Sequence, residues 1–427
     1  MDLPLEDQLA RKQSRVAAIL AGGVNPVPAS AWEQPRASAP ARFRNKAKMA
    51  VSGTVNAPVL GLADARGLSV DLRHCPLHVP AIEEALPVLA RLVTDLRLTP
   101  YDIVADSGEL KHVLVTASPD DDLMVRFVCR TAERVEDLRA ALPRLREELP
   151  GLAVVSVNVQ PVHQAVLEGP EEQVLTDASL GLTDRLLMRL SLPVTHHRAR
   201  RELPLLLPTR SFFQTNTAVA EALYASAAEW TDARTDGWTG SQRMVGVGAP
   251  GYDVGRPPSA GTRTAPGADA SADAGARAGE ERLAPVEIWD LFCGVGGFGL
   301  ALAGPGRRVR GVEVSAPAIE GARQAARLMG LSRTQASFAA GDARVLDPAS
   351  GAAPDLLVVN PPRRGIGAEL AERIEASATP RVLYSSCNPA SLAKDLARMP
   401  SLRVRRARLF DMFPHTDHAE VLVELVR

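Results

Sequence analysis

Cysteine is scarce in this chain of 427 residues: four, at 75, 129, 293 and 387, set too far apart for a disulfide framework or a complete zinc motif. Long hydrophobic runs are missing as well, and none reaches the length that spans a bilayer. The opening residues Met1-Asp2-Leu3-Pro4-Leu5-Glu6-Asp7 lack the basic and apolar regions of a secretion signal. A cytoplasmic location is therefore expected. The net charge of −1 gives no global pull toward nucleic acid, though it leaves room for a local basic patch. No lysine follows the glycines of Gly294-Val295-Gly296-Gly297-Phe298-Gly299, which argues against a triphosphate-binding loop.

What is present reads as two or three domains, since the length exceeds one typical core. An amphipathic helix is expected over 9–20. A stretch with five basic residues and no acid follows: Arg36, Arg42, Arg44, Lys46 and Lys48. It fits a solvated loop or a phosphate-contacting arm equally well. Short strands at 49–53 and 59–62 precede a helix at 80–97, whose Ile82, Leu86, Leu89, Val93 and Leu96 recur at helical spacing. Strands at 111–116, 123–128 and 154–159 with a helix at 135–149 make an α+β block, and a helix is expected over 217–230. Residues 233–284, rich in Gly, Ala, Pro, Ser, Thr and Asp without periodicity, read as a flexible insertion. From 286 to the end, strands and helices alternate, which predicts an α/β, Rossmann-like, doubly wound sheet. The expected boundaries are 1–78, 79–203 and 204–427.

The chemistry gathers in that last region. Cys387, in Tyr384-Ser385-Ser386-Cys387-Asn388-Pro389, falls at the carboxyl end of a short strand and just before a helix. Ligands bind at that end in open α/β sheets, and a helix N-terminus favours a thiolate. The turn Asp290-Leu291-Phe292-Cys293-Gly294 lets a cofactor approach the backbone, and Glu313, ending the next strand, is placed to take both hydroxyls of a ribose. With no pyrophosphate cradle required, the turn suits S-adenosylmethionine better than a dinucleotide. Asp342 follows the third strand and reads equally as an adenine contact or a turn residue. Asn360-Pro361-Pro362-Arg363 closes the fourth strand, with Arg363 where amino-methylating enzymes carry an aromatic ring. His196 and His197 read as surface residues, and Cys129 as packing. Cys75, between His74 and His78, completes no metal motif.

In order along the chain stand Ser-Phe-Phe-Gln214-Thr-Asn, the Asp-Leu-Phe-Cys-Gly-Val-Gly-Gly-Phe loop, Asn-Pro-Pro-Arg-Arg-Gly, Ser-Ser-Cys-Asn-Pro and Phe413-Pro414-His415-Thr416-Asp417-His418-Ala419-Glu420. Together they resemble the RNA uracil-C5 methyltransferases, over nearly the whole chain outside the insertion. Phe43 to Met49, Gly108 to Lys111 and Asn158 to His163 are similar to the 23S ribosomal branch that modifies uracil 747. The resemblance implies a class I methyltransferase domain behind a central RNA-binding domain, with 23S rRNA as partner and no obligate protein partner. It implies S-adenosylmethionine held by Gln214, Phe292, Glu313 and Asn360, with Asp342 as a further contact. It also implies Cys387 as nucleophile and Glu420 as general base. Glu420 then reaches the carboxyl-end rim only if the loop before it folds back.

Ribosomal members of the family carry a 4Fe-4S cluster on four cysteines. Cys75 matches the fourth, and no cysteine precedes it in this sequence. Either this member lost the cluster, or the natural chain starts upstream of Met1, which the abrupt family-like opening favours. Three other readings stay open: amino-group methylation, which Arg363 argues against; a non-catalytic RNA-binding relative, which the joint presence of Cys387 and Glu420 argues against; and uracil methylation of transfer RNA.

Overall fold

The computed structural model describes residues 3–63, 69–162, 167–193, 200–232, 285–345 and 353–427. It opens with α1 (Leu5–Ala21), whose Val16 and Leu20, four residues apart, share one buried face. A first sheet then forms from β1 (Lys46–Thr54), β2 (Ala57–Ala63) and β3 (Ser69–Asp71), followed after α2 (Pro80–Asp95) by β4 (Leu110–Ala117) and β5 (Leu123–Cys129). Helices α3 (Val135–Ala140) and α4 (Leu142–Glu148) lead to β6 (Leu152–Val159) and β7 (Glu171–Val174). The strand order is β3-β2-β1-β4-β5-β6-β7. Only β5 and β6 pair in parallel, because the α3–α4 crossover returns the chain to the same end. The helix expected over 135–149 is two helices. Pro143 has no N–H to give to the preceding turn, and the break falls at Ala141.

One face of this sheet buries Val113, Val115, Phe127 and Val157 against Leu86 and Leu89 of α2. On the opposite face Arg126 is buried and pairs with Glu172 at 2.7 Å and Glu168 at 3.1 Å. Glu172 also accepts from Ser156 at 2.6 Å and Asn158 at 2.8 Å. These side chains alternate with the core residues along β5 and β6, as the pleat requires.

The hairpin β8 (Arg185–Pro193) and β9 (Arg200–Pro208) turns Leu186, Met188, Leu190, Leu203 and Leu205 into a core shared with the C-terminal half. That half begins with α5 (Thr217–Asp232) and runs β10 (Val286–Leu291), α6 (Gly297–Leu302), β11 (Arg307–Glu313), α7 (Ala316–Leu328), β12 (Ala336–Ala340) and β13 (Leu356–Val359). It ends with α8 (Ala368–Ala376), β14 (Arg381–Ser386), α9 (Pro389–Leu396), β15 (Arg403–Phe410) and β16 (Glu420–Val426). Its strand order is β12-β11-β10-β13-β14-β16-β15, with β16 antiparallel to both neighbours and the first five parallel. The α/β doubly wound expectation holds. A β-carbon on Gly321 of α7 would stand 2.3 Å from the Leu206 carbonyl oxygen, so the hairpin lies on that helix at a distance only glycine permits.

The expected segment boundaries need revision. The one at 78/79 divides the first sheet, since β1 pairs with β4 across it. The one at 203/204 cuts through β9. Residues before β1 belong with the C-terminal sheet: Val16, Leu20, Val27 and Ala31 share a core with Tyr384, Leu396 and Leu409. The Glu33 and Arg36 amides donate to the Ala407 and Leu409 carbonyls, each at 2.8 Å, and so cover the edge of β15. Residues 233–284, His196, His197 and Arg198 lie outside the described residues.

Candidate active site at the carboxyl rim

The site forms where the strand order reverses, beside β10. After β10 the backbone turns left-handed at Phe292 (φ 60), Gly294 (φ 55) and Gly296 (φ 86). Asp290 secures this turn: its Oδ2 accepts the Gly299 amide at 2.7 Å, and burial pushes the carboxyl up to about 7. A β-carbon on Gly297 would stand 2.5 Å from the Tyr224 hydroxyl, so α5 closes one side of the loop. Glu313 ends β11, and its two oxygens accept the Gly294 amide at 3.4 Å and the Ser315 amide at 3.1 Å. Asn360 follows β13, its amide donating to the Leu291 carbonyl at 3.4 Å. Phe292, Glu313 and Asn360 therefore share one rim.

Gln214 arrives from the segment between β9 and α5 and is buried; its carbonyl accepts from Asn45 Nδ2 at 3.1 Å, which ties it to the start of β1. Asp342 stands just past β12 on the same rim. Hydrogen bonds from Arg344, at 2.6 to 3.2 Å, already hold its carboxylate and pull it down to about 2.

Cys387 lies between β14 and α9, directly before the capping residue Asn388, whose side chain accepts the Ala390 amide at 3.1 Å. A helix N-terminus favours a thiolate there, and the surrounding groups act on it in both directions. Burial pushes the thiol up, the Glu420 charge adds to it, and Arg363 opposes both. Arg363 is a site residue that sequence reasoning read only as a missing aromatic. Its carbonyl accepts from Asn388 Nδ2 and Ser391 Oγ, each at 3.0 Å, while its guanidinium reaches His418 Nδ1 at 3.0 Å and lies close enough to Cys387 to favour its thiolate.

Glu420 is at the rim for a reason other than a folded-back loop. Strand β16 runs antiparallel to β14, with Val421 opposite Ser386 and Leu422 opposite Ser385, so its first residue meets the end at which β14 finishes. Glu420 is 2% exposed, accepts a hydrogen bond from Ser385 Oγ, and is pushed up to about 7 by burial.

The cysteines do not fit an iron–sulfur cluster. Cys75 offers one thiolate where a 4Fe-4S cluster takes four ligands. Cys129 is enclosed in the first sheet, Cys293 and Cys387 belong to the rim, and the described residues contain no His/Cys/Asp/Glu group that could hold a metal. Arg201 donates to the carbonyls of Leu300, Ala301 and Ala303 at 2.8–3.1 Å, closing the C-terminus of α6. Arg36 and Lys48 are exposed, and burial pulls Lys46 down to about 8, with Lys48 and Arg126 adding to it.

Strand order and rim define a class I methyltransferase fold. A family profile described as tRNA (Uracil-5-)-methyltransferase matches residues 351–427. Curated relatives named 23S rRNA (uracil(747)-C(5))-methyltransferase RlmC are similar over the full chain. That of Halothiobacillus neapolitanus is 42% identical across 99% of this chain and 94% of its own length. That of Edwardsiella ictaluri is 39% identical across 100% and 95%. Among solved structures, the Pyrococcus abyssi tRNA (uracil-54, C5)-methyltransferase in complex with S-adenosyl-L-homocysteine superposes with a TM-score of 0.68. It has 21% identity and covers 99% of this chain and 84% of that one. The chain belongs to the RNA uracil-C5 methyltransferase family.

Proposed function

We propose that this enzyme methylates C5 of a uracil in 23S rRNA, at position 747 as in its curated relatives, from S-adenosylmethionine. The observation that carries the reading is that Cys387, directly after β14, and the buried carboxyl of Glu420, at the start of the adjacent antiparallel β16, stand at one rim. Gln214, Phe292, Glu313 and Asn360 would hold the cofactor; Asp342 joins them only by releasing Arg344. Bound there, S-adenosylmethionine supplies an electrophilic methyl group. Cys387 as thiolate adds to C6, and C5, otherwise a weak nucleophile, becomes enolate-like and would take the methyl group, the bond from that methyl to the sulfonium sulfur breaking with its electron pair left on the sulfur of the departing neutral thioether. Glu420 then accepts the C5 proton, the electron pair of that bond closes the C5–C6 double bond, and the sulfur leaves C6. Arg363 favours the thiolate against the cost of burial. The target base must leave its stack to reach the rim. The first sheet serves as the RNA-binding domain, with Arg36 and Lys48 available to phosphates. No described helix is long and apolar enough to cross a membrane, and work on ribosomal RNA puts the enzyme in the cytoplasm.

Mapping 5-methyluridine in ribosomal and transfer RNA from a deletion strain tests the target. Loss at uracil 747 of 23S rRNA is expected, and loss from transfer RNA alone would overturn it. Cys387→Ala should bind cofactor yet transfer no methyl and form no covalent RNA adduct; residual turnover contradicts the mechanism.

A further inference from the structure

We propose that Ser385 is a positioning residue that holds Glu420 ionised and oriented to accept the proton from C5 of the target base. This rests on the function proposed above. Ser385 is fully buried on β14, and its hydroxyl donates to Oε1 of Glu420. Across β15 the neighbour of Glu420 is Phe410, also fully buried. Two other buried acids of this half have stronger support. Glu424 has three arginines, and Asp395 takes the Tyr384 hydroxyl at 2.7 Å and the Ile366 amide at 2.9 Å. At Glu420, among the described residues, one hydroxyl is the whole of the hydrogen bonding, and Oε2 is left to receive the proton.

A carboxylate taken out of water is costly unless a donor stabilises it, so this hydroxyl bears directly on whether Glu420 is ionised at all. The titratable groups around it do not replace that donor. Tyr224 of α5 is pushed up by burial and by the Asp290 and Glu420 charges. The Cys387 thiol is pushed up by burial and by Glu420, with Arg363 beside it. Asp411, past the end of β15, is taken by Lys12 at 2.5 Å, and His418 by Arg363. Once the proton has moved, the serine hydroxyl keeps donating to Oε1 while the acid holds the proton on Oε2.

Donation favours the carboxylate, so removing it raises the pH at which Glu420 becomes a competent base. A hydrogen bond to a charged group is worth a shift of about one pH unit. Ser385→Thr and Ser385→Val give side chains of the same shape that differ in the hydroxyl, and Ser385→Ala removes it with the least steric change. Single-turnover release of free methylated RNA against pH, and the covalent RNA adduct resolved on a denaturing gel, are the readouts. Valine and alanine should move the acid limb up by about one unit and accumulate methylated adduct, because its release is slowed. Threonine should restore the limb. If valine and threonine share one limb, Ser385 has no such role. Cys387→Ala in the same assay keeps the two claims apart: adduct formed by that variant would overturn the proposed function itself, whatever the serine variants do.

Discussion

Glu420 and Glu424 stand on the same face of β16, four residues apart, and both are buried. Three arginines surround Glu424: Arg381 at 2.5 Å, Arg405 at 2.7 Å and Arg406 at 3.3 Å. Glu420 has one serine hydroxyl. The inner carboxylate is compensated in charge and locks β14, β15 and β16 together. The outer one is undercompensated, so its proton affinity rises to about 7, where a base can both take and release a proton. Between these two acids of one strand burial does not make the difference; the count and charge of their donors do.

The comparison breaks most visibly at Glu420. Glu420→Gln should lower turnover by about 10³-fold and trap the methylated RNA adduct, since general-base catalysis contributes on that order. It should leave the fold intact. Wild-type stability should also fall between about pH 4.5 and 7 relative to this variant. Over that window the folded chain still binds a proton that the unfolded chain has released, so rising pH favours unfolding. Urea midpoints across that range measure it.

Glu424→Gln should do the reverse. It removes the buried charge that Arg381, Arg405 and Arg406 share, and should cost about 3 kcal/mol in urea unfolding. Each folded molecule should keep its methyl-transfer rate. A fall in rate without loss of stability would erase the distinction between the two acids. The smallest effect expected is at Arg363. Arg363→Ala removes the one charge that opposes burial and Glu420 at Cys387, so the thiol should titrate higher. Alkylation by iodoacetamide at neutral pH should slow by about tenfold and recover as pH rises.

Cys387, Glu313, the glycine turn and Asn360 were legible because each is a local event, a strand ending where a loop begins. Glu420 was legible as a residue and not as a position. Its place at the rim depends on β16 running antiparallel between β14 and β15, a long-range pairing that no local pattern encodes. Ser385 and Arg363 were hidden for the same reason, since each matters through a partner on another element. The hairpin did have a signal, the alternation of Leu186, Met188, Leu190 and Leu192, but Pro204 and Pro208 weakened the second strand as a strand candidate. The expected boundaries failed where strands remote in sequence join one sheet, as β1 and β4 do.

The start of the chain closes on its far end: Glu33 binds Arg408, 375 residues away in sequence. A ribosome adds roughly 5–20 residues per second, so the first helix waits on the order of 20–75 s for α9, on which it packs. During that interval Val16 and Leu20 have no permanent neighbour, and a nascent chain stalled before α9 exposes them to chaperones and proteases. The beginning of this enzyme becomes part of its catalytic half only as synthesis of that half finishes.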